Sequence, residues 1–347
     1  MTDMAIETSA RAATPRALAV IRTGLVLAIA VGLPMVAQRY QLGLVSNAMI
    51  LALGAIALNV LMGLSGLVSA GNAALFAVGA YGAATCALYL GLPFLLTLLV
   101  CALLGAALGF VVGLPALRVQ GMYLAIATLA LHYVVIFALN RYQYEMVGGG
   151  LGFLLPNASI GGWEIRSQTQ WYYFILLTVI LCYWAVSNIK RSGVGRAWML
   201  LRDAPIAAAS QGVNVARYKL LAFVFSSAII GFSGGLFAYF QKNVYIEAFT
   251  LELAIQVIAM IVIGGWGSTG GAIAGAFFVS LLPTALSLLL SLLPRSFVLT
   301  ELLSRNVGDV QLIVYGGLII GFLVLEPSGL AGLYKRFEDG LVRALRR

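Results

Sequence analysis

Polar side chains that interrupt long apolar stretches are the residues of this sequence best able to contact a polar solute. Amide, hydroxyl and imidazole groups both donate and accept hydrogen bonds, so they would bind such a solute or, alternatively, hydrogen-bond neighbouring helices. No Asp or Glu lies at the centre of an apolar stretch, which counts against an ion-coupled transport site. The candidates for a translocation path are Asn59, Ser65, Ser69, Asn72, His132 and Gln256.

Motifs of enzymatic chemistry are absent from the sequence. It contains no G-x-x-x-x-G-K-[ST] loop for ATP, no G-x-S-x-G and no H-E-x-x-H. Cys86, Cys101 and Cys182 lie in apolar runs, and the single histidine, His132, excludes a site with several histidine ligands. We therefore predict no catalytic residue, no metal and no cofactor in this chain.

The composition identifies the elements that must hold these residues. Of 347 residues, 62% are hydrophobic and only 10% are charged, whereas soluble domains carry about 25% charged residues. Hydropathy predicts an all-α, polytopic transmembrane bundle of about ten spans in a single domain, 1–347. The predicted spans are 17–37, 42–63, 69–90, 93–114, 121–139, 170–189, 218–240, 253–270, 271–293 and 310–326.

Charge predicts the orientation of the bundle. The net charge is +9, and an N-in, C-in topology places fifteen of the 21 Lys and Arg residues at the inner side, as the positive-inside rule expects. The same rule explains the basic excess without nucleic acid. The predicted cytoplasmic segments are the tails 1–16 and 327–347 and the loop 190–217, here called the coupling loop.

Glycine-rich segments mark two interruptions of the spans, at 63–72 and 264–271. Small residues allow close helix packing, and an interruption at membrane depth is tolerated where it is buried or lines a cavity. GLSGLV (63–68) resembles GFSGGL (231–236), which suggests an inverted repeat of five spans each. The glycines assigned to breaks or packing are Gly63, Gly66, Gly71, Gly264, Gly265 and Gly267.

The coupling loop contains a candidate docking element. Asp203 is the predicted N-cap of a short helix with Pro205 in its first turn, and Gly212 is predicted to end it in a left-handed conformation. Flanked by Arg202 and Arg217, this helix would insert into a groove of a partner. The alternative is an ordinary amphipathic surface helix.

Four segments of the sequence resemble the LivM-type permeases of branched-chain amino acid ABC importers. They are NVLMGLSGLVSAGNAALFAVGAY (59–81), GLPALRVQGMYLAIATLAL (113–131), the stretch from GRAWMLLRDAP to GFSGGLFA (195–238) and IGGWGSTGGAIAGA (263–276). Asn72 stands where relatives often have histidine. The resemblance implies that residues of the coupling loop dock on an ATPase subunit, namely Arg196, Arg202, Asp203, Ile206, Ala207, Ala208 and Gly212.

The resemblance also implies a function. We expect a permease subunit, not an enzyme, that carries Leu, Ile or Val across the bacterial inner membrane. Its expected partners are a second, LivH-like permease, two cytoplasmic P-loop ATPases, a periplasmic amino-acid-binding protein and membrane lipid. Two alternatives are a urea or short-amide permease of the same superfamily and, in another class, a stand-alone channel or ion-coupled carrier.

Overall fold

A computed structural model of the chain describes residue 24 and residues 28–119, 121–148, 152–292, 307–326, 328–333 and 336. The predicted N-terminal tail, 1–16, and most of the predicted C-terminal tail, 327–347, lie outside the described residues.

The architecture is helical, as predicted. The helices are α1 (28–36), α2 (Arg39–Asn59), α3 (Asn72–Leu88), α4 (Phe94–Ala116), α5 (Met122–Val147), α6 (Gln168–Arg191), α7 (Gly193–Asp203), α8 (Pro205–Ser210), α9 (Val215–Gln241), α10 (Leu251–Gly264), α11 (Thr269–Leu292) and α12 (Val307–Leu325). A π-helical turn, Val60–Leu64, extends α2, and a 3-10 turn, Ile246–Ala248, precedes α10. A further helical turn follows α12 at 329–333.

Within the described residues, eight helices are long and apolar enough to cross a membrane. They correspond to the predicted spans other than 17–37 and 69–90. The span 17–37 lies partly outside the described residues, and α1 covers the second half of it. The span 69–90 corresponds to α3, whose 17 residues give a length of about 26 Å. That is shorter than the apolar core of a bilayer, about 30 Å.

Helix α2 forms the centre of the bundle. It packs against α6, α9, α10 and α11, and 83% of its spanning segment is buried, compared with 22% for α5 and for α6. A helix that is apolar on all sides is stable only when it is surrounded by other apolar groups. The outer helices turn large side chains such as Leu103 and Phe137 away from the bundle, as expected of lipid-facing surfaces.

Close helix packing depends on glycine at the centre of α9. A Cβ atom on Gly231 would lie 2.5 Å from the carbonyl oxygen of Cys101 on α4, and one on Gly79 of α3 would lie 2.0 Å from the carbonyl oxygen of Gly231. The predicted packing role of small residues is therefore confirmed here. Segment 231–236 lies inside the continuous helix α9, whereas 63–68 crosses the end of α2. The two segments thus differ in local structure and give no support to an inverted repeat.

The region 140–169 is more ordered than its sequence indicated. Helix α5 continues to Val147, eight residues beyond the predicted span, and this extension includes an exposed ion pair between Arg141 and Glu145 at the i, i+4 spacing, with 2.7 Å between Nε and Oε1. It ends at Gly148, which adopts a left-handed conformation. The predicted span ended too early because hydropathy falls where the helix leaves the apolar layer.

Three two-residue strands lie in this region, and a fourth follows α9. Strands β2 (Ser159–Ile160) and β3 (Trp163–Glu164) pair in an antiparallel hairpin, and β1 (Phe153–Leu154) pairs with β4 (Asn243–Val244). The hydrogen bond from Arg166 lowers the pKa of the exposed carboxyl of Glu164 in this hairpin. Helix α6 separates the hairpin from α7 and α8, so we name the two ends of the bundle the hairpin end and the coupling-loop end.

Candidate functional site

The two predicted helix interruptions meet at the coupling-loop end. Residues 65–71 separate the π turn from α3, and 265–268 separate α10 from α11. Asn59 Oδ1 accepts a 2.9 Å hydrogen bond from the backbone N–H of Gly267. A Cβ atom on Gly63 would lie 2.4 Å from that same nitrogen, so the two backbones are in direct contact. We call Asn59, Gly63 and Gly267 the break contact.

Two cationic side chains of the coupling loop bind this break contact. Arg202 Nη1 donates a 2.7 Å hydrogen bond to the carbonyl oxygen of Gly63, and Lys190 Nζ donates a 2.6 Å hydrogen bond to that of Gly267. A backbone carbonyl oxygen carries partial negative charge, so a hydrogen bond from a cationic side chain stabilises it. The coupling loop is therefore tied to both interruptions, the one before α3 and the one after α10.

The other predicted break glycines lie in the same segments. Gly66 packs against Arg202, and Gly71 packs against the carbonyl oxygen of Thr128 on α5. Gly264 approaches the carbonyl oxygen of Gly271. Gly265, at φ 107°, packs against the carbonyl oxygen of Ser328 beyond α12, so the segment that follows α12 also contacts the second interruption.

Helix α8 presents an apolar residue at the surface of the coupling loop. Ile206 is 87% exposed, while Ala208 is fully buried and Ala207 is half-buried. The helix α7 beneath is anchored by Trp198, which is 1% exposed and donates from Nε1 to the carbonyl oxygen of Tyr218 at 2.9 Å. Arg196 is exposed and reaches the carbonyl oxygen of Arg191 at 3.4 Å.

The predicted end of α8 is confirmed. Gly212 adopts φ +80°, and it donates a hydrogen bond from its N–H to the carbonyl oxygen of Ala209. Val213 N–H bonds the carbonyl oxygen of Ala208. These two bonds form a Schellman motif, in which the left-handed residue is usually glycine.

The predicted beginning of α8 is wrong. The N-cap is Ala204, followed by Pro205 at the first helical position, and Asp203 is instead the last residue of α7. The Asp203 carboxylate pairs with Arg202, with 2.8 Å between Oδ1 and Nε. Because α7 continues through its last turn to this residue, the carboxylate is not placed to cap the next helix.

Most of the predicted path residues hydrogen-bond the protein itself. Ser65 Oγ donates to the carbonyl oxygen of Leu61 at 2.6 Å, and Ser69 Oγ accepts from Gly71 N–H at 3.4 Å. Gln256 Nε2 donates to the hydroxyl of Tyr315 at 3.4 Å, which links α10 to α12. Together with Asn59 in the break contact, these residues stabilise the bundle in this conformation.

Asn72 and His132 differ from the others. Both are at least 97% buried, and within the described part of the chain neither Asn72 Oδ1 nor His132 Nδ1 has a hydrogen-bond partner. Asn72 lies beside a small cavity between α2, α3, α9 and α10, and His132 is not part of its wall. The cavity is lined by Leu51, Gly54, Asn72, Ala73, Phe76, Ile230, Leu253 and Val257.

Aromatic side chains close the bundle between this cavity and the hairpin end. Phe76 packs against Phe237 and Phe249, with ring centroids 5.3 and 6.1 Å apart, and Phe249 also contacts Tyr81. The hydroxyl of Tyr81 donates to Gln143 Oε1 on α5. The cavity thus lies between an aromatic layer on one side and the break contact on the other.

The sequence did not predict the contacts of Lys190 and Thr128 or the apolar wall of the cavity. Thr128 Oγ1 accepts from Ala70 N–H at 3.0 Å and so holds the first interruption against α5. The sequence does not indicate which backbone group a threonine or lysine side chain will bind.

Within the described ranges, no three His, Cys, Asp or Glu side chains are grouped to hold a metal ion. The polar groups and the aliphatic wall around the cavity can contact the polar and apolar parts of a solute.

Comparison with known proteins agrees with the structure. The family model described as branched-chain amino acid transport system, permease component, matches residues 40–323. The high-affinity branched-chain amino acid transport permease protein LivM of Salmonella typhimurium is 33% identical over 329 residues, which cover 88% of this chain and 73% of the relative. LivM of Escherichia coli is 32% identical over 329 residues, which again cover 88% of this chain and 73% of the relative.

A probable LivH permease of Methanocaldococcus jannaschii is 23% identical over 74% of this chain and 80% of the relative. No solved structure matches the chain. The family model covers far more than half of the sequence, and the two LivM relatives exceed 30% identity over most of their length. The chain is therefore a multi-pass membrane protein that belongs to the permease family of branched-chain amino acid transport systems.

Proposed function

We propose that this chain is the membrane-spanning subunit of an ATP-driven importer that carries leucine, isoleucine or valine across the bacterial inner membrane. The observation that carries the proposal is the family match over residues 40–323, together with relatives named for branched-chain amino acid transport. The substrate is thus inferred from relatives, and the direction of transport from the resemblance of the chain to importers.

The energy for transport enters from other subunits in this proposal. The sequence has no P-loop and no cofactor-binding motif, so two cytoplasmic ATPases would supply the work. They would dock on α8, where Ile206 is exposed on a helix whose end is fixed by Gly212. An exposed apolar side chain on a short helix with a defined C-terminal cap fits a groove in a partner.

The break contact would transmit movement of the docked coupling loop to the helices of the bundle. Arg202 and Lys190 tie the coupling loop to the interruptions beside α3 and α10, and both helices line the cavity. A shift of α7 and α8 on ATP binding would therefore pull on two helices that enclose it. A second, LivH-like permease would complete the membrane part, and a periplasmic binding protein would deliver the amino acid.

Uptake in proteoliposomes tests this proposal. The permease is reconstituted with the second permease, the ATPases and the binding protein of the same source, and labelled leucine, valine or urea is offered. We expect leucine and valine uptake that requires ATP and is unaffected by collapse of ion gradients. Uptake of urea in their place would favour the alternative cargo. Uptake driven by an ion gradient without ATP would show a secondary carrier.

A further inference from the structure

The cavity beside Asn72 combines two features that are uncommon inside a membrane protein. Helix α3 begins at Asn72 in the interior, where Asn72, Ala73 and Ala74 are all at least 97% buried. No side chain of the described residues caps this N-terminus. The first backbone hydrogen bond runs from Leu75 N–H to the carbonyl oxygen of Gly71, at 3.4 Å, so the preceding N–H groups lack an intrahelical acceptor.

The Asn72 side chain is the second, independent feature. It lines the cavity and is 3% exposed, and its Oδ1 has no hydrogen-bond partner among the described residues. A buried acceptor without a donor is costly in an apolar interior unless a ligand supplies the donor. An uncapped helix N-terminus attracts negative charge for the complementary reason, since its N–H groups and the helix dipole favour an anion.

We propose that this cavity is the occlusion site of the amino acid during transport, an inference that rests on the proposed function. The N–H groups at the start of α3 would bind the carboxylate, and Asn72 Oδ1 would accept a hydrogen bond from the ammonium group. The branched side chain would lie against Leu51, Ile230 and Val257, which line the same cavity. One end of the site is polar and the other is aliphatic, as this class of substrate requires.

In this structure the site is too small to hold an amino acid. The cavity has room for about one water molecule, and Phe76 belongs both to its wall and to the aromatic layer on the hairpin side. An amino acid enters only when the surrounding helices separate. Leu51 and Gly54 lie near the middle of the spanning segment Arg39–Leu64, the depth at which an occluded substrate is shielded from both sides.

A side-chain size series tests the aliphatic end. Val257→Leu adds one methylene to the wall, and we expect the ratio of leucine to valine uptake to fall about tenfold in the reconstituted importer. Val262→Leu is the matched control, because Val262 is also on α10 and is also 5% exposed but does not line the cavity. Ile230→Val enlarges the site and should raise the same ratio.

A pair of asparagines tests the polar end. Asn72→Ala should lower uptake of both amino acids at least about tenfold, the factor expected for one lost hydrogen bond to a charged group. Asn47→Ala is the control, since Asn47 Oδ1 also lacks a partner among the described residues but lies away from the cavity. Co-purification of the ATPases shows that each variant complex is assembled.

The outcomes separate this inference from the proposed function. If the wild-type importer takes up neither leucine nor valine with ATP, the proposed function is wrong. If it takes up both, Val257→Leu and Asn72→Ala behave like their controls, and Ile230→Val leaves the uptake ratio unchanged, the cavity is not the occlusion site. Should Val257→Leu fail to assemble, an unchanged uptake ratio in the milder Ile230→Val variant overturns the inference by itself.

Discussion

Arg202 in the coupling loop donates a 2.7 Å hydrogen bond from Nη1 to the carbonyl oxygen of Gly63, at the end of the central helix of the bundle. These residues are 139 positions apart in sequence. The same guanidinium pairs through Nε with Asp203. The Arg202 side chain therefore links a segment proposed to dock on an ATPase directly to the end of the central helix.

Replacing Arg202 should impair the coupling of ATP hydrolysis to uptake more than it lowers the stability of the fold. The side chain is 37% exposed, so its contribution to stability is small, about 1 kcal/mol. We expect Arg202→Met to retain bound ATPases and basal ATP hydrolysis while leucine uptake falls severalfold. Arg118→Met, which changes an exposed arginine just beyond α4, is the control. Equal uptake by the two variants would show that the bond to Gly63 has no role in coupling.

Gly63 should tolerate no side chain. A Cβ there would lie 2.2 Å from Asn59 Oδ1 and 2.4 Å from Gly267 N, so it would displace the hydrogen bond between them. We expect Gly63→Ala to destabilise the bundle by about 2 kcal/mol, measured as a lower melting temperature in detergent. Gly43→Ala on the same helix meets nothing within 4 Å and should be neutral or slightly stabilising. Similar melting of both variants would contradict the tight contact.

Function should require glycine at position 212 only because this residue adopts a left-handed backbone conformation. No atom lies within 4 Å of a Cβ placed there, so the main cost of a side chain is the left-handed conformation, which is about 1–2 kcal/mol and least favourable for a β-branched residue such as valine. We expect Gly212→Val to insert normally but to lower ATPase co-purification and uptake together. Asn tolerates this conformation better, so Gly212→Asn should retain both. Loss of function in both variants would point to a role beyond backbone geometry.

The predicted orientation can be checked by labelling. Ser210→Cys on α8 and Ser159→Cys in the hairpin are both exposed and lie at opposite ends of the bundle. An impermeant thiol reagent added to intact cells should label Ser159→Cys and leave Ser210→Cys unmodified until the cells are opened. The native Cys86 and Cys101 are buried and should give little background. Labelling of Ser210→Cys from outside would reverse the topology.

The helices were largely predictable because apolar residues are the dominant signal in a membrane protein. Interruption of the helices near Gly63 and Gly267 also followed from the sequence, since glycine-rich segments break helices. The sequence did not predict that these interruptions touch, because the contact joins Asn59 to a backbone N–H that carries no signature. Asp203 was misassigned because a carboxylate before proline is typical of an N-cap, whereas the end of α7 had no glycine to mark it.

The candidate site was predictable only in part. Asn72 was identified by its polarity in an apolar stretch. The other wall residues, such as Ile230 and Val257, were not, because an aliphatic residue that lines a cavity is indistinguishable in sequence from one that packs in the core. Ser65 and Gln256 have the same polar character as Asn72, and only the structure shows that they bond the protein itself.

In the proposed importer, ATP hydrolysis by partner subunits drives transport through α8. Leucine uptake and ATP hydrolysis measured in the same proteoliposomes, with wild-type permease and with Ile206→Asp, test it most directly. Ile206 is 87% exposed, so the substitution should leave the bundle folded while it places a charge in an apolar docking contact. We expect ATPase binding, leucine-stimulated hydrolysis and uptake to fall together by about tenfold or more. Wild-type uptake by an importer carrying Ile206→Asp would show that the ATPases do not drive transport through α8.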